Sequence, residues 1–250
     1  MYYKFYSDTR KKEIDLDDLY AGQSCFLLGG APSLKDYNLD FLNGPGIISM
    51  GINNVPAIIR TNFWVGGDKP RCYDPSILYD ISILKFANYG KRFEQINGVP
   101  WTNYPATLFY PCKDDVPVSE FMHSGRDISW WKNTWFIAIQ ILWRLGFHTI
   151  YTLGADFYMT KSKQYAWETE LKDKEIESNM LLYSQTLQRM RELKPYFDLH
   201  GLNIINCSKT SGLIQDFGYI PLEIAIEQAK SILPSPIDTK TLPHCLRNNE

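Results

Sequence analysis

The chain of 250 residues is long enough for one large α/β domain, with or without a subdomain. Its hydrophobic content of 44% and charged content of 22% are typical of a globular protein, and a formal net charge of −2 provides no basic field for nucleic acid. No apolar run approaches the ~20 residues of a membrane-spanning helix, and five widely spaced cysteines without a CxxC pair indicate neither a disulfide framework nor a zinc site. We therefore expect a cytoplasmic protein without a membrane span.

The first predicted strand, Cys25–Leu28, follows a polar lead-in of residues 1–20 whose end, Ile14–Tyr20, is typical of a short helix or turn. Two glycines and an alanine come next, and Pro32 with Ser33 begins a segment typical of a helix entry. A buried strand that runs into a glycine turn and a helix N-terminus is how many α/β sheets present backbone N–H groups to a phosphate. The same pattern also fits a purely structural strand, turn and helix without a ligand.

The next segments alternate between helix and strand patterns. Leu34–Leu42 is predicted as a short helix, Ile47–Met50 as the second strand and Thr61–Val65 as the third. This spacing is that of parallel β-α-β units, in which ligands bind at the carboxyl ends of the strands. Three successive strand ends carry small or polar residues, which predicts a binding site at this edge of the sheet: Gly29–Ala31, Gly51 with Asn53, and Gly66–Asp68.

Residues 69–127 combine frequent prolines with aromatic residues. This composition predicts an irregular insertion with short strands such as Thr107–Tyr110 rather than long helices. Most aromatic rings of a globular protein belong to its core, so the rings by themselves do not indicate a site. The position of the segment nevertheless suits the acceptor side of the predicted site.

The strongest helix pattern is Thr134–Leu145, which is apolar on nearly all sides and is therefore predicted to be buried between layers. Asn133 suits its N-cap and Gly146 its C-terminal end. The strand Thr149–Leu153 follows and runs into the stretch GADFY, so that an acid and a tyrosine come directly after a strand end.

Residues 159–178 alternate lysine with acidic residues, which is typical of a solvated segment and, directly after a strand end, of a candidate lid. The remaining predicted elements are an amphipathic helix stopped by Pro195, a last strand, a closing helix and a loose tail: Met180–Lys194, Leu202–Asn206, Pro221–Leu233 and residues 234–250. Together the elements predict a single nucleotide-binding α/β domain over residues 21–233. Its fold would be a Rossmann-like, mostly parallel sheet with helices on both faces, plus a lid or a small aromatic-rich insertion.

Four stretches resemble the bacterial CMP-sialic acid-dependent sialyltransferases of the Campylobacter lipooligosaccharide type: Leu27–Lys35, Gly51–Asn54, Ile150–Tyr158 and Asn206–Ser208. The chain is also similar to the 6-hydroxymethylpterin diphosphokinase-like proteins, which share a GPSL start and an Asn-Cys-Thr/Ser end. The match covers roughly residues 22–70 and 130–225 and leaves the middle unmatched. Both resemblances imply a nucleotide-binding fold and a transferase activity.

The resemblance also implies which residues bind the nucleotide. The glycine turn would lie along the phosphate and ribose, although Gly30 stands where the sialyltransferases have an asparagine that reads the donor. Asn53 would match a nucleotide-contacting asparagine, and Asn133 with Thr134 a Thr-Ser pair at a helix N-terminus. Asp68 stands where the sialyltransferases have asparagine and the diphosphokinase-like proteins aspartate. The complete implied set is Gly29, Gly30, Ala31, Ser33, Asn53, Asp68, Asn133, Thr134 and Ser208.

Tyr158 and Tyr165 resemble two tyrosines that hydrogen-bond the departing phosphate, although their spacing here is one residue longer. Those sialyltransferases use a histidine base after the tyrosine pair, and residues 166–199 of this chain contain no histidine. We therefore expect His123, in the segment before the buried helix, as the histidine candidate. Carboxylates are the other means of taking a proton from an acceptor hydroxyl: Asp68, Asp156 or Glu168. The predicted catalytic set is Tyr158, Tyr165, Asp156 and His123.

The leading hypothesis is a glycosyltransferase that moves a sugar from a nucleotide-sugar donor, CMP-linked in one version, to a hydroxyl acceptor. No DxD metal motif stands out, so tyrosine hydroxyls and backbone N–H groups would stabilise the departing phosphate without a metal or other cofactor. One alternative is an ATP-dependent diphosphokinase of the pterin type, in which Asp68 and Asp156 would hold Mg²⁺. Another is a nucleotide-binding module without catalysis. A nucleotide or nucleotide sugar is the expected partner, and the sequence leaves the acceptor and the oligomeric state open.

Overall fold

The structure, a computed structural model that describes residues 4–6, 13–113, 115–123, 127–162, 164–167 and 170–231, is built on a nine-stranded sheet. The strands of the described residues, inside and outside this sheet, are in chain order β1 Lys4–Tyr6, β2 Glu13–Asp15, β3 Ser24–Leu28, β4 Ser49–Ile52, β5 Phe63–Gly66, β6 Leu84–Asn88, β7 Gln95–Ile96, β8 Val99–Pro100, β9 Thr107–Tyr110, β10 Cys112–Lys113, β11 Ile128–Ser129, β12 Thr149–Leu153 and β13 Asn203–Asn206. β7 with β8, and β10 with β11, form small pairs outside the large sheet.

The large sheet has the strand order β13-β12-β3-β4-β5-β6-β9-β1-β2. Its members from β13 to β9 are parallel, while β1 and β2 add an antiparallel edge. After β3 the chain builds the sheet outward to β9 and then returns to β12 on the other side of β3. Such a reversal is a topological switch point, where a crevice for ligands opens at the carboxyl ends of the two neighbouring strands.

Helices cover both faces of the sheet: α1 Pro75–Tyr79, α2 Thr134–Arg144, α3 Asp173–Leu199, α4 Ile214–Phe217 and α5 Leu222–Ser231. Successive residues of a strand point to opposite faces. Accordingly, Cys25 and Leu27 of β3 pack in the layer of α2 and α3, and Phe26 and Leu28 pack in the layer of α5. The predicted α/β class, with a mostly parallel Rossmann-like sheet and helices on both faces, is confirmed.

Local signals placed the central helix and its following strand correctly. All residues of α2 except Trp143 are buried, which agrees with its apolar character on every side. Its N-cap is Asn133, whose side-chain oxygen accepts from the backbone N–H of Trp135 at 2.9 Å. β12 spans Thr149–Leu153, the predicted strand.

The helix predicted at Leu34–Leu42 is instead two short 3₁₀ helices, Pro32–Asp36 and Asp40–Asn43. Between them Tyr37 is extended, and Asn38 accepts from the backbone N–H of Asp40 at 2.9 Å. An asparagine that bonds the backbone two residues ahead favours a turn over a continuous helix.

The segment 69–127, expected to be an irregular insertion, contributes α1 and the sheet strands β6 and β9. The strand β6 was not predicted because Lys85 interrupts its apolar sequence, LKFAN. In the structure the Lys85 side chain is nevertheless buried. Its ammonium donates to the carbonyl oxygens of Asp80 at 2.6 Å and Ile83 at 2.9 Å. The lead-in differs from expectation in part, since residues 13–15 form β2 against β1, and a turn follows at residues 17–22.

α3 begins earlier and ends later than predicted, at Asp173 and Leu199 rather than at Met180 and Lys194. Its start is favoured by Glu175, whose carboxylate accepts from the backbone N–H of Lys172 at 2.8 Å. Pro195 does not stop the helix, which continues for one further turn to Leu199. Residues 173–178, the end of the candidate lid predicted at residues 159–178, therefore belong to α3.

The end of the closing helix and the tail of residues 234–250 lie outside the described residues. Among the helices of the described part of the chain, none combines the length and the apolar character needed to cross a membrane.

Candidate active site

A cavity of about 210 Å³ opens at the switch point between β3 and β12. The two strand ends are held together by backbone hydrogen bonds from Gly29 to Leu153 at 2.8 Å and from Ala31 to Gly154 at 2.9 Å. A Cβ atom at either Gly29 or Gly154 would collide with the carbonyl oxygen of the other glycine, and Gly154 has a φ of +61°. These two glycines permit the close approach that shapes the floor of the cavity.

Residues from seven parts of the chain line this cavity: Gly29, Gly30, Ala31, Ile52, Asn53, Asp68, Lys132, Asn133, Thr134, Trp135, Gly154, Ala155, Asp156, Phe157, Tyr158, Tyr165, Trp167, Asn179, Leu182 and Tyr183. The structure thus brings ten of the sequence-predicted site residues to one space: Gly29, Gly30, Ala31, Asn53, Asp68, Asn133, Thr134, Asp156, Tyr158 and Tyr165. Ser33, Ser208 and His123 do not line it.

The N-terminus of α2 faces the cavity and is fixed from two sides. Asn133 caps the helix and also donates from its side-chain amide to the hydroxyl of Thr186 on α3 at 2.7 Å. Trp131 and Lys132 precede it with φ values of +40° and +54°, a conformation that ordinary side chains rarely adopt. This turn leaves the exposed Lys132 at the cavity as the basic residue of its lining.

Asn53, after β4, carries an unsatisfied acceptor at the cavity. Its backbone is held by bonds to Val65 at 3.2 Å and from the indole of Trp64 at 2.6 Å. Its side-chain oxygen Oδ1 is buried and has no hydrogen-bond partner among the described residues. Leaving a buried acceptor unpaired costs about 1–3 kcal/mol, so a rotation of the side chain that brings this oxygen to a ligand N–H or O–H in the cavity would be favourable.

Asp68, after β5, is exposed at the cavity. Its backbone N–H donates to the hydroxyl of Tyr73 at 2.6 Å, which fixes the main chain and leaves the carboxylate toward solvent. Burial, and then the nearby Asp68 carboxylate, raise the pKa of Tyr73 well above its usual range. Tyr73 is therefore a neutral support for this strand end.

The carboxylate of Asp156, after β12, accepts hydrogen bonds from other residues of the protein. Its carboxylate accepts from the Ser33 hydroxyl at 2.5 Å, from the Ser33 backbone N–H at 3.3 Å and from the Thr210 hydroxyl at 3.3 Å. The acid therefore ties the loops after β3, β12 and β13 to one another. Ser208 acts similarly, since its buried hydroxyl accepts from the backbone N–H of Gly154 at 3.0 Å. Ser33 and Ser208 thus support the loops from behind the cavity wall.

Tyr158 and Tyr165 both line the cavity but differ in exposure. Tyr158 is 55% exposed, whereas Tyr165 is partly buried and stacks on Trp167 with ring centroids 4.7 Å apart. The Tyr165 hydroxyl lies 3.4 Å from the side-chain nitrogen of Asn179 and also interacts with the hydroxyl of Tyr183. Burial is the main cause that raises the pKa of Tyr165, so this phenol is protonated at neutral pH.

His123 lies elsewhere. It is exposed, and its ring packs edge-on against His200, just after α3, with centroids 4.3 Å apart. Burial and the neighbouring His123 lower the pKa of His200. Because His123 is outside the cavity lining, its position gives the predicted catalytic role no support. Glu168, the third acid considered as a base, lies outside the described residues.

Sequence reasoning did not select six polar or aromatic residues of the lining: Lys132, Trp135, Phe157, Trp167, Asn179 and Tyr183. Asn179 and Tyr183 are four residues apart, a spacing that puts both on one face of a helix. Placing the start of α3 at Asp173 would have revealed this pair. Among the described residues, no cluster of three or more His, Cys, Asp or Glu side chains is arranged to hold a metal ion.

No family model and no curated protein matches the chain. Among solved structures, the sialyltransferase CstII from Campylobacter jejuni, in complex with the substrate analogue cytidine-5'-monophosphate, is 12% identical; the alignment covers 80% of this chain and 86% of that one, with a TM-score of 0.45. The sialyltransferase CST-II with a trisaccharide acceptor and CMP is 13% identical over the same shares, with a TM-score of 0.42. A mammalian sialyltransferase is 14% identical and covers 67% of each chain, with a TM-score of 0.35. The chain is therefore similar to solved sialyltransferases, at low identity and low score.

Proposed function

We propose that this chain is a glycosyltransferase that moves a sugar from a nucleotide-sugar donor, CMP-linked in the first instance, to a hydroxyl acceptor without a metal ion. The observation that carries the proposal is the set of groups around one cavity. A helix N-terminus, an ammonium group and neutral tyrosine hydroxyls all meet at the switch point of a parallel sheet. Such groups are suited to a departing phosphate, whose negative charge grows as the sugar leaves.

The N-terminus of α2 and Lys132 are the groups assigned to the phosphate. The peptide dipoles of a helix are equivalent to about half a positive charge at its N-terminus. α2 has 11 residues, and its first one, Thr134, lines the cavity beside Asn133. Lys132 adds a full charge at the same place.

The tyrosines are assigned to the leaving-group oxygen. A phenol with a raised pKa stays protonated and can donate a hydrogen bond to an anion. Tyr165 fits this role because it is partly buried, held by stacking on Trp167 and protonated at neutral pH. The more exposed Tyr158 is assigned to the mouth of the same space.

Asp68 is the base that the proposal assigns. Asp156 accepts hydrogen bonds from Ser33 and Thr210, so proton abstraction would break the contacts that hold three loops. Asp68 is exposed in the lining after β5, three strands from β12 in the sheet, and is accessible to an acceptor hydroxyl. In the reaction, the bond between the sugar carbon and the phosphate oxygen breaks and a bond to the acceptor oxygen forms. The acceptor proton moves to Asp68, and the electron pair stays on the phosphate.

A thermal-shift series with donor candidates tests the proposal. We expect CMP and CMP-linked sugars to raise the melting temperature in the presence of excess chelator, and we expect turnover of the donor to survive the same chelator. The Lys132→Ala variant should show a smaller shift, since it removes a charge from the phosphate site.

Other outcomes would favour the alternatives or reject the proposal. Stabilisation by ATP only when Mg²⁺ is added would favour the diphosphokinase. Among the described residues, no cluster of three or more His, Cys, Asp or Glu side chains supports that alternative. Nucleotide binding without donor turnover would favour an inactive binding module. Absence of any shift with CMP, CMP-sugars, UDP-sugars and ATP would reject the nucleotide site.

A further inference from the structure

A second cavity, of about 400 Å³, adjoins the cavity at the switch point. Lys132 and Leu182 line both spaces, so the two meet at one turn and one helix. The switch-point cavity, at about 210 Å³, is smaller than the roughly 300–1,000 Å³ of a typical small-molecule site. Transfer between two substrates needs room for both, and the second cavity supplies the additional space.

One face of α3 forms most of the wall of this second cavity, which we call the α3 groove. Its residues recur every three or four positions along the helix and therefore share that face: Leu182, Gln185, Gln188, Arg189 and Glu192. Arg189 joins the helix to the other wall. Its guanidinium donates to the carbonyl oxygen of Trp131 at 3.3 Å, lies 4.9 Å from the centroid of the Trp131 ring and pairs with the Asp115 carboxylate at 3.5 Å. These contacts fix the shape of the groove.

The polar groups of the α3 groove suit a neutral ligand that is rich in hydroxyl groups. Two positive side chains, Lys132 and Arg189, are balanced by two negative ones, Asp115 and Glu192, so the wall has no net charge to select an anion or a cation. Gln185 adds an exposed amide, which both donates and accepts hydrogen bonds. Sugar hydroxyl groups likewise donate and accept, and they can pair with amides, carboxylates and ammonium groups alike.

The α3 groove also lies beside the strand end that carries the proposed base. A Cβ atom at Gly67, the residue before Asp68, would lie 3.2 Å from the Thr134 hydroxyl and 3.3 Å from the indole nitrogen of Trp130. The turn of residues 130–134 therefore packs against this strand end, and the same turn borders the groove at Lys132. An acceptor in the groove is thus close to the carboxylate that takes its proton.

A larger cavity along α3, of about 670 Å³, is less well placed. It meets the switch-point cavity at Phe157, which follows β12. In the sheet, β12 is three strands away from β5, the strand that leads to Asp68. This larger cavity therefore supplies a comparison for experiments on the α3 groove.

We propose that the α3 groove binds the acceptor and that the acceptor is a neutral carbohydrate, whose reacting hydroxyl passes Lys132 into the switch-point cavity. The inference rests on the proposed function and names the acceptor class that this function leaves open. The acceptor oxygen forms the new bond to the sugar carbon, its proton passes to Asp68, and the broken bond leaves its electron pair on the phosphate. Gln185 and Glu192 bind acceptor hydroxyls away from the reacting atoms.

Saturation-transfer NMR tests carbohydrate binding without a donor. The neutral probes are maltotriose, chitotriose and melibiose, and glucose 6-phosphate and glucosamine are the charged comparisons. We expect at least one neutral probe to bind more tightly than both charged sugars. Gln185→Ala and Glu192→Gln should each weaken that binding about three- to tenfold or more, since each removes a hydrogen-bonding group. Both variants should leave the affinity for CMP, measured by isothermal titration, unchanged.

Ser184→Ala is the matched control, because Ser184 is adjacent to Gln185 in the chain and lines the larger cavity instead. We expect this variant to change neither affinity. Equal sugar binding by the unmodified protein, Gln185→Ala and Glu192→Gln would overturn the inference, as would tighter binding of a charged sugar or no binding of any neutral probe.

Turnover with a CMP-linked sugar separates this inference from the proposed function. We expect Gln185→Ala to raise the KM for the bound neutral probe and to leave the KM for the donor unchanged. Turnover with an unchanged acceptor KM in Gln185→Ala would reject the acceptor site alone and leave the proposed function intact. Carbohydrate binding in the groove without any donor turnover would reject the proposed function and the acceptor role with it.

Discussion

Asn53 shows how one residue can combine a backbone and a ligand role. Its φ of +51° lies in the left-handed region, which asparagine tolerates far better than bulky or β-branched residues. That conformation turns the chain at the end of β4, where Asn53 lines the cavity, and leaves the side-chain oxygen buried and without a partner among the described residues. A polar atom in this state is costly to the free protein and becomes useful once a ligand donor reaches it.

Replacing Asn53 with glycine separates these two roles. Glycine keeps the left-handed backbone without strain and removes the unpaired oxygen, so we expect the melting temperature to change little. Nucleotide affinity should fall by about three- to tenfold, the worth of one neutral hydrogen bond. Calorimetric titration with CMP, together with a melting curve, measures both. Unchanged affinity in a folded variant would remove Asn53 from the binding site.

Asp156, in contrast to Asn53, has a position typical of a functional residue and contacts that give it a structural role. The sequence placed it directly after a strand end, a typical position for a catalytic acid. Only the contacts with Ser33 and Thr210 assign it to holding the loops. Spacing along a chain does not reveal which hydroxyl groups from distant segments will reach a carboxylate.

At the element scale, the junction of β3 and β12 depends on two glycines that meet back to back. Gly154 needs its small size for two reasons, a positive φ and the carbonyl oxygen of Gly29 in the space a Cβ atom would fill. Gly98, in the turn between β7 and β8, also has a positive φ, of +79°, but nothing lies within 4 Å of its Cβ position. Both residues therefore have a left-handed backbone, which strains any residue with a Cβ atom. Only at Gly154 would that Cβ atom also collide with neighbouring backbone atoms.

The comparison of Gly154→Ala with Gly98→Ala isolates the cost of that collision. We expect Gly98→Ala to reduce the free energy of unfolding by about 1 kcal/mol, the cost of a left-handed alanine. Gly154→Ala should cost at least about 2 kcal/mol more, because backbone atoms must move apart. Urea denaturation of both variants measures the difference. Equal losses would show that the junction yields easily and that contact between the strand ends is not critical.

Elements differed in how far the sequence could predict them. α2 carries its own signals, an asparagine N-cap and a run of apolar residues, so its bounds follow from local chemistry. β6 does not, because the ammonium group of the buried Lys85 is hydrogen-bonded to carbonyl oxygens of Asp80 and Ile83, which come together only in the folded chain. α3 was shortened in the prediction because a proline usually ends a helix, and here it falls close to the end.

At the scale of the whole molecule, burial of acidic side chains in their neutral form makes stability depend on alkaline pH. Desolvation is the largest cause that raises the pKa of Tyr73, Tyr110 and Cys25, and it raises the pKa of Cys207 to about 12. Each group keeps its proton in the folded state above the pH at which the unfolded chain releases it, about 8.5 for cysteine and 10 for tyrosine. The stabilisation is therefore complete below these values and is lost as pH rises.

We accordingly expect the free energy of unfolding to be constant near neutral pH and to fall from about pH 9 upward. Urea denaturation at several pH values measures this profile. A variant with both Cys25→Ala and Cys207→Ala should delay the onset to about pH 10, where the tyrosines begin to ionise. A flat profile across this range would contradict the assignment of these side chains as buried and neutral.

The sequence by itself determined the α/β class, the parallel strands β3, β4, β5, β12 and β13, the helix α2 and half of the residues of the cavity lining. These follow from local information, because a buried parallel strand is a short apolar run and its carboxyl end is marked by small and polar residues. The tertiary structure alone decided that β6 and β9 belong to the sheet, that His123 lies away from the cavity and that Asp156 holds loops together. It also decided which side chains of α3 meet Tyr165. The physical reason is that these relations depend on contacts between residues far apart in the chain, which no local pattern encodes.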